Sequence, residues 1–266
     1  MKLRSLLEKM EYSLLHGKDD IDITTLVYDS RKVVEGSVFV CISGTVRDAH
    51  DFINEVINMG ARAVIVEKDM AALNINNINN TTVVKVSDTR AALAYMSAAY
   101  FDYPADKLKT IGITGTKGKT TTAYMVRSIL ESSGIKTGLI GTIEAIVGDT
   151  KIPANNTTPE SYVIQEYFKN MVDAGCQCAV MEVSSQGLMM HRVDGFTFDF
   201  GIFTNIEPDH ISPTEHKDFE EYMACKGLLF KKCKVGIVNG DDTHVWNVMK
   251  AIPVSLKPME YLRRLI

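Results

Sequence analysis

The stretch Gly112-Ile113-Thr114-Gly115-Thr116-Lys117-Gly118-Lys119-Thr120-Thr121-Thr122 decides the fold class. It stands between a β-like apolar run over residues 108–113 and an amphipathic run over residues 123–131. A phosphate-binding loop belongs at such a junction, where backbone N–H groups and a helix N-terminus face the anion. Gly118-Lys119-Thr120 supplies a loop glycine, a cation for the β/γ-phosphates and a hydroxyl for Mg²⁺. The common loop has four residues between its glycines, which would put the first at Ile113; here the pair is Gly115 and Gly118, a shorter variant. The alternative is a Gly/Thr-rich turn with a surface lysine. The stretch predicts a nucleoside triphosphate site formed by Gly115, Thr116, Lys117, Gly118, Lys119, Thr120 and Thr121.

Downstream, short apolar runs at 137–141, 178–183, 200–205 and 235–239 alternate with helical patterns at 121–132, 162–174 and 219–230. This alternation predicts an α/β domain whose mainly parallel sheet is covered on both faces. Ligands bind such sheets at the carboxyl ends of strands. Lys119, the Glu182-Val183-Ser184 strand end and the segment from Asn205 to His210 all fall there. Taken singly, Glu182 reads equally as a solvated strand end and His210 as a structural histidine. Lys226, among the apolar residues of Tyr222-Met223-Ala224-Cys225-Lys226-Gly227-Leu228-Leu229-Phe230, reads alone as a snorkelling helix lysine.

Upstream, a short helix opens the chain and strands are expected at 23–28, 37–42, 63–67 and 82–86. Helices are expected at 52–59 and 89–100, with an Asn-rich loop at 74–80. Tyr103-Pro104 stops the last helix. The expected organisation is an N-terminal domain over 1–106, a central nucleotide-binding domain over 107–250 and an unassigned tail over 251–266.

A chain of 266 residues is long enough for two cores. A net charge of −4 gives no reason to expect a nucleic-acid or membrane-surface partner. No apolar run approaches the roughly 20 residues that span a bilayer. The first 15 residues alternate charge with leucine at helical spacing and lack the apolar core of a signal peptide, so a cytoplasmic protein is expected. The five cysteines are odd in number and lack metal-site spacing, so reduced thiols are expected.

The ordered set of motifs narrows the reading. The glycine–lysine–threonine loop is followed by Asn156-Thr157-Thr158-Pro159, Met181-Glu182-Val183-Ser184-Ser185, Thr204-Asn205 with Asp209-His210, Lys226, and Asn239-Gly240-Asp241-Asp242. This order resembles the Mur ligase family and, within it, the tripeptide-synthetase (MurE) type. Upstream, Asp29-Ser30-Arg31, residues 35–40, Gly44 and Asp48-x-His50-Asp51-Phe52-Ile53 are similar to that type's UDP-binding domain. Folylpolyglutamate and cyanophycin synthetases share the ATP motifs but not this N-terminal pattern.

The resemblance implies ATP-dependent, Mg²⁺-assisted addition of a diamino acid (meso-diaminopimelate, lysine or another) to UDP-N-acetylmuramoyl-L-alanyl-D-glutamate in peptidoglycan precursor synthesis. The γ-phosphate would pass to the substrate carboxylate as an acyl phosphate, which the incoming amine then displaces. Lys119 and the loop amides would hold phosphate, with Asn205 beside the nucleotide. Thr120 and Glu182 would bind one Mg²⁺, and His210 and a carbamylated Lys226 a second. Tyr28, Ser30, Thr45, Val46 and Arg47 match uridine-side positions. Asn156, Thr157, Thr158, Ser184, Met190 and Arg192 match the muramoyl-peptide side. Arg192 suits a carboxylate or pyrophosphate as a two-pronged donor, its alternative being a surface pair with Asp194.

The chain departs from the pattern at Lys117 and Gln186, and over residues 211–216. The family's third, C-terminal domain, which selects the amino acid, is expected to be missing here. A shortened homologue that binds nucleotide and UDP-sugar without ligation therefore remains the alternative.

Overall fold

The computed structural model describes residues 1–44, 47–76, 78, 80–209, 211–212, 215–240, 242, 244–245 and 248. The chain divides into two compact units, Met1–Asp102 and Tyr103–Ile266.

The first unit runs α1 (Leu3–Leu7), β1 (Ser13–His16), β2 (Leu26–Val27), β3 (Val38–Val40), α2 (Ile53–Asn58), β4 (Ala63–Val66), β5 (Thr82–Lys85) and α3 (Thr89–Tyr100). Its sheet order is β1-β5-β4-β3-β2, parallel from β2 to β5, with β1 antiparallel on the edge. The apolar runs of β3 and β4 are buried throughout, as strands covered on both faces must be. Phe39, Ile53, Val56, Val64 and Val83 form one core layer. Asp88 caps α3 by accepting from the Ala91 N–H at 2.8 Å, which starts the alanine-rich helix.

The short helix expected at the start of the chain is α1, and one strand expectation is corrected. Helical spacing over the first 15 residues continues past α1 into β1, where pairing with β5 overrides local pattern. The strand expected over 23–28 is only the two residues of β2.

The second unit contains β6 (Lys109–Thr114), α4 (Lys119–Ser132), β7 (Thr137–Ile140), β8 (Glu144–Val147), β9 (Thr150–Pro153), α5 (Ser161–Asp173) and β10 (Cys178–Glu182). It continues with α6 (Ser185–Met189), β11 (Phe198–Phe203), α7 (Phe219–Lys231) and β12 (Cys233–Val238). The sheet order is β12-β11-β6-β10-β7-β8-β9. β12, β11, β6, β10 and β7 are parallel, and β8 and β9 add an antiparallel hairpin that the alternating pattern did not reveal. Between β10 and β11 the chain crosses from one side of β6 to the other. The loop after β6 therefore lies at the topological switch, where open α/β sheets bind ligands. Phe168, Met171, Met181, Phe198 and Leu229 pack the core beneath it.

Candidate functional site

β6 delivers the chain into the loop at Gly115, whose φ is +150°. A Cβ there would lie 2.1 Å from Thr204 Oγ1, so only glycine fits between β6 and the segment after β11. Gly118, with φ +79°, ends the loop and begins α4 with no side-chain cap. The first N–H groups of a 14-residue helix are thus presented at the loop, an arrangement that attracts anions.

The segment after β11 holds the loop in shape. Asn205 Oδ1 accepts from the Lys117 N–H at 2.9 Å, and Asn205 Nδ2 donates to the Lys117 carbonyl at 3.0 Å. The Thr116 N–H donates to the Asn205 carbonyl at 3.0 Å, and Thr204 Oγ1 donates to the Lys117 carbonyl at 3.0 Å. Asn205 is accordingly placed as the clamp of the loop. Lys117 itself points out to an exposed pair with Glu207 at 2.5 Å.

Two lysines converge inside. Lys119 Nζ donates to the carbonyls of Gly115 (3.0 Å) and Thr116 (3.2 Å). Lys226, carried in by α7, donates to the same Gly115 carbonyl at 2.9 Å. Lys226 is fully buried, its ammonium 4.6 Å from the Tyr222 ring centroid. Burial first, and then the Lys119 charge, pull its pKa down to about 7; burial also lowers that of Lys119. The solvated, snorkelling reading of Lys226 is thereby corrected: its head, not only its stem, is inside.

Beside the lysines, Glu182 ends β10 with its side chain fully buried. It accepts three hydrogen bonds: from Thr120 Oγ1 at 2.8 Å, from the Thr142 N–H at 2.9 Å and from Thr142 Oγ1 at 3.0 Å. Thr120 Oγ1 and Glu182 Oε2 come from converging elements, and this pair of oxygens suits a hard divalent cation. His210 lies outside the described residues, as do Thr45 and Val46.

The 156–158 segment is tied to the same strand end. Thr158 Oγ1 donates to the Glu182 carbonyl at 3.0 Å and accepts from the Ser184 N–H at 2.9 Å. Ser184 Oγ caps α6 by accepting from Gly187 N–H at 3.0 Å. Thr157 is half-buried, Asn156 exposed, and Met190 closes α6. Arg192 donates to the Thr158 carbonyl at 3.0 Å and pairs with Glu160 at 2.8 Å. It does not take Asp194, which is held by His191 and Lys232.

In the first unit, Tyr28 follows β2 and Ser30 begins a 3₁₀ turn that Asp29 caps at the Arg31 N–H. Arg47 is exposed, and its carbonyl accepts from Gly44 N–H at 3.0 Å. Asp48 accepts from His50 Nδ1 at 2.6 Å and pairs with Lys68 at 2.5 Å, while His50 Nε2 accepts from the Glu67 N–H at 3.2 Å. Burial alone would raise the Asp48 pKa; the Lys68 and His50 hydrogen bonds outweigh it and hold the group at about 2. The Asp-x-His pattern is thus a brace that fixes the chain after residues 44–47.

Three residues of the second unit were not singled out by sequence. Thr142 touches Glu182 twice and sits 3.1 Å from Thr157 Oγ1. Tyr222 hydroxyl donates to Thr116 Oγ1 at 3.3 Å. Buried His216 meets Ser185 Oγ at 2.9 Å and lies against the Tyr222 ring, centroids 5.2 Å apart. The signal for Thr142 was its place just after an apolar strand, at the end of the sheet where ligands bind.

A profile described as "Mur ligase middle domain" matches residues 113–258, and one described as "Mur ligase family, catalytic domain" matches residues 22–101. The chain belongs to the Mur ligase family. A UDP-N-acetylmuramoyl-L-alanyl-D-glutamate--2,6-diaminopimelate ligase of Clostridium perfringens is 47% identical over 95% of this chain and 51% of that protein. The protein of that name from Geobacillus kaustophilus is 40% identical over 96% of the chain and 52% of its own length. A solved structure with the same name superposes at a TM-score of 0.77 with 23% identity, over 94% of this chain and 49% of the other, a likeness of fold. This Mur ligase chain thus spans about half the length of the curated relatives it matches. No helix among its described residues is long and apolar enough to cross a membrane.

Proposed function

We propose that the chain carries the nucleotide and UDP-muramoyl-peptide sites of a cytoplasmic ligase that joins a diamino acid, 2,6-diaminopimelate in the named relatives, to UDP-N-acetylmuramoyl-L-alanyl-D-glutamate. The observation that carries the reading is the convergence of Lys119 and Lys226 on one carbonyl, beside the Thr120–Glu182 oxygen pair. When both are protonated, two ammonium groups sharing an acceptor leave excess positive charge beside uncapped helix N–H groups. A triphosphate relieves that repulsion, Lys119 leaving the loop carbonyls for the β/γ-phosphates.

The chemistry is phosphoryl transfer to a carboxylate, giving an acyl phosphate that an amine displaces. Its difficulty is that two anions must meet while charge moves on the phosphoryl group. One divalent cation, which Thr120 and Glu182 would hold, and a second, which Lys226 and His210 would hold, would neutralise the two anions. Lys226 could serve there only after reaction with CO₂, which needs a neutral amine, and a pKa of about 7 leaves about half of the groups neutral near pH 7. Tyr28, Ser30, Thr45, Val46 and Arg47 would take the uridine side, and Asn156, Thr157, Thr158, Ser184, Met190 and Arg192 the muramoyl-peptide side.

Calorimetry with Mg²⁺–ADP and with UDP-muramoyl-dipeptide tests binding, and product analysis after adding ATP and diaminopimelate tests ligation. Both ligands should bind, and Lys119→Met should weaken Mg²⁺–ADP at least tenfold. Binding of neither ligand overturns the reading; binding without product reduces it to a binding module. CO₂ depletion should lower turnover where ligation occurs, and Lys226→Ala should abolish it.

A further inference from the structure

Glu182 and Thr157 lie on either side of one hydroxyl, that of Thr142. Thr142 Oγ1 is 3.0 Å from Glu182 Oε2 and 3.1 Å from Thr157 Oγ1. A hydroxyl has one proton to give and a carboxylate can only accept. The Thr142 proton therefore belongs to Glu182, and the bond to Thr157 must run the other way, with Thr157 donating. The chain Thr157→Thr142→Glu182 has one direction, and it spends the only proton of Thr157. What Thr157 offers outward is lone pairs.

Backbone geometry holds this chain in register. The Thr142 N–H donates to Glu182 Oε1 at 2.9 Å, so main chain and side chain of one residue grip both carboxylate oxygens. Gly141 makes that approach possible, since a Cβ there would stand 2.4 Å from Oε1. Thr120, the first-turn threonine of α4, donates to the same Oε2 as the Thr142 hydroxyl. Anything that fixes the carboxylate from the nucleotide side fixes Thr142, and through it the direction of the Thr157 hydroxyl.

We propose that Thr142 is a positioning residue that couples the nucleotide site to the peptide site, making Thr157 an obligatory acceptor for an N–H group of the muramoyl-peptide. The inference rests on the reading of residues 156–158 as the peptide-facing segment. Occupation of the nucleotide site pre-orients Thr157, so the two ligands should bind with positive, reciprocal coupling.

The test is calorimetric titration of UDP-muramoyl-dipeptide into the full chain, with and without saturating Mg²⁺–ADP, for the wild type, Thr142→Ser, Thr142→Val and Thr157→Val. Mg²⁺–ADP should tighten the dipeptide about fivefold or more in the wild type, within the range usual for coupled sites. Thr142→Ser should keep that factor. Thr142→Val and Thr157→Val, which cut the chain at different links, should each bring it to about one while Mg²⁺–ADP alone binds within about threefold of wild type. A wild type without coupling, or either valine variant retaining it, overturns the proposal and leaves the function standing. Loss of Mg²⁺–ADP binding in Thr142→Val, with coupling intact in Thr157→Val, would reduce Thr142 to support of the nucleotide site. Failure of the wild type to bind either ligand removes the functional reading and this proposal with it.

Discussion

The Gly115 carbonyl receives two ammonium groups, and the lysine that suffers most is the one with least water. Lys226 titrates at about 7 in the fold, against 10.5 for a solvated lysine side chain. Between those values the unfolded chain holds a proton that the folded chain has released. Stability therefore rises with pH from about 7 towards 10, by at most about 1.4 kcal/mol per unit, and is flat below 7. Lys226→Met removes this contribution. The unfolding free energy of the wild type minus that of Lys226→Met, from urea titrations in CO₂-free buffer, should thus increase between pH 7 and 9; a constant difference would mean that the lysine is not desolvated. Lys119→Met removes the neighbouring charge that helps depress Lys226. The rise should then begin at a higher pH.

At the scale of elements, the loop between β6 and α4 owes its shape to the segment after β11 more than to its own sequence. Asn205→Ala removes both side-chain bonds to Lys117, a loss of about 1–3 kcal/mol. Asn205→Asp should fare no better, because it keeps the acceptor for the Lys117 N–H but sets a carboxylate oxygen against the Lys117 carbonyl. Both variants should lower the urea midpoint and weaken Mg²⁺–ADP, and an unchanged affinity would show that the loop holds its form unaided. The parallel sheet was legible because β10 and β7 are buried on both faces and read as short apolar runs. The β8–β9 hairpin was not, since Glu144 and Lys151 interrupt the pattern and β9 is an exposed edge. Nor was β1, whose half-exposed residues continue a helical spacing until β5 pairs with them. The same distinction holds for the site. Lys119, Glu182 and Lys226 carry motif chemistry, and the fold brings them together. Thr142 gains its place only because β7 lies beside β10, a long-range adjacency that no local spacing encodes.

At the scale of the whole molecule, each unit closes its own sheet and core, so each has the means to unfold as a unit. The loop, Glu182 and Lys226 all belong to the second. A ligand that binds only a folded site stabilises that unit by mass action, about 2.7 kcal/mol at a concentration 100 times its Kd. Scanning calorimetry of the full chain should therefore show two transitions, with Mg²⁺–ADP raising one by several degrees and leaving the other in place. Limited proteolysis during the same ramp assigns them: the peptides protected by Mg²⁺–ADP should come from residues beyond 102. A single transition that moves as a whole would mean that the two units unfold together, and protection confined to residues 1–102 would place the nucleotide in the wrong half.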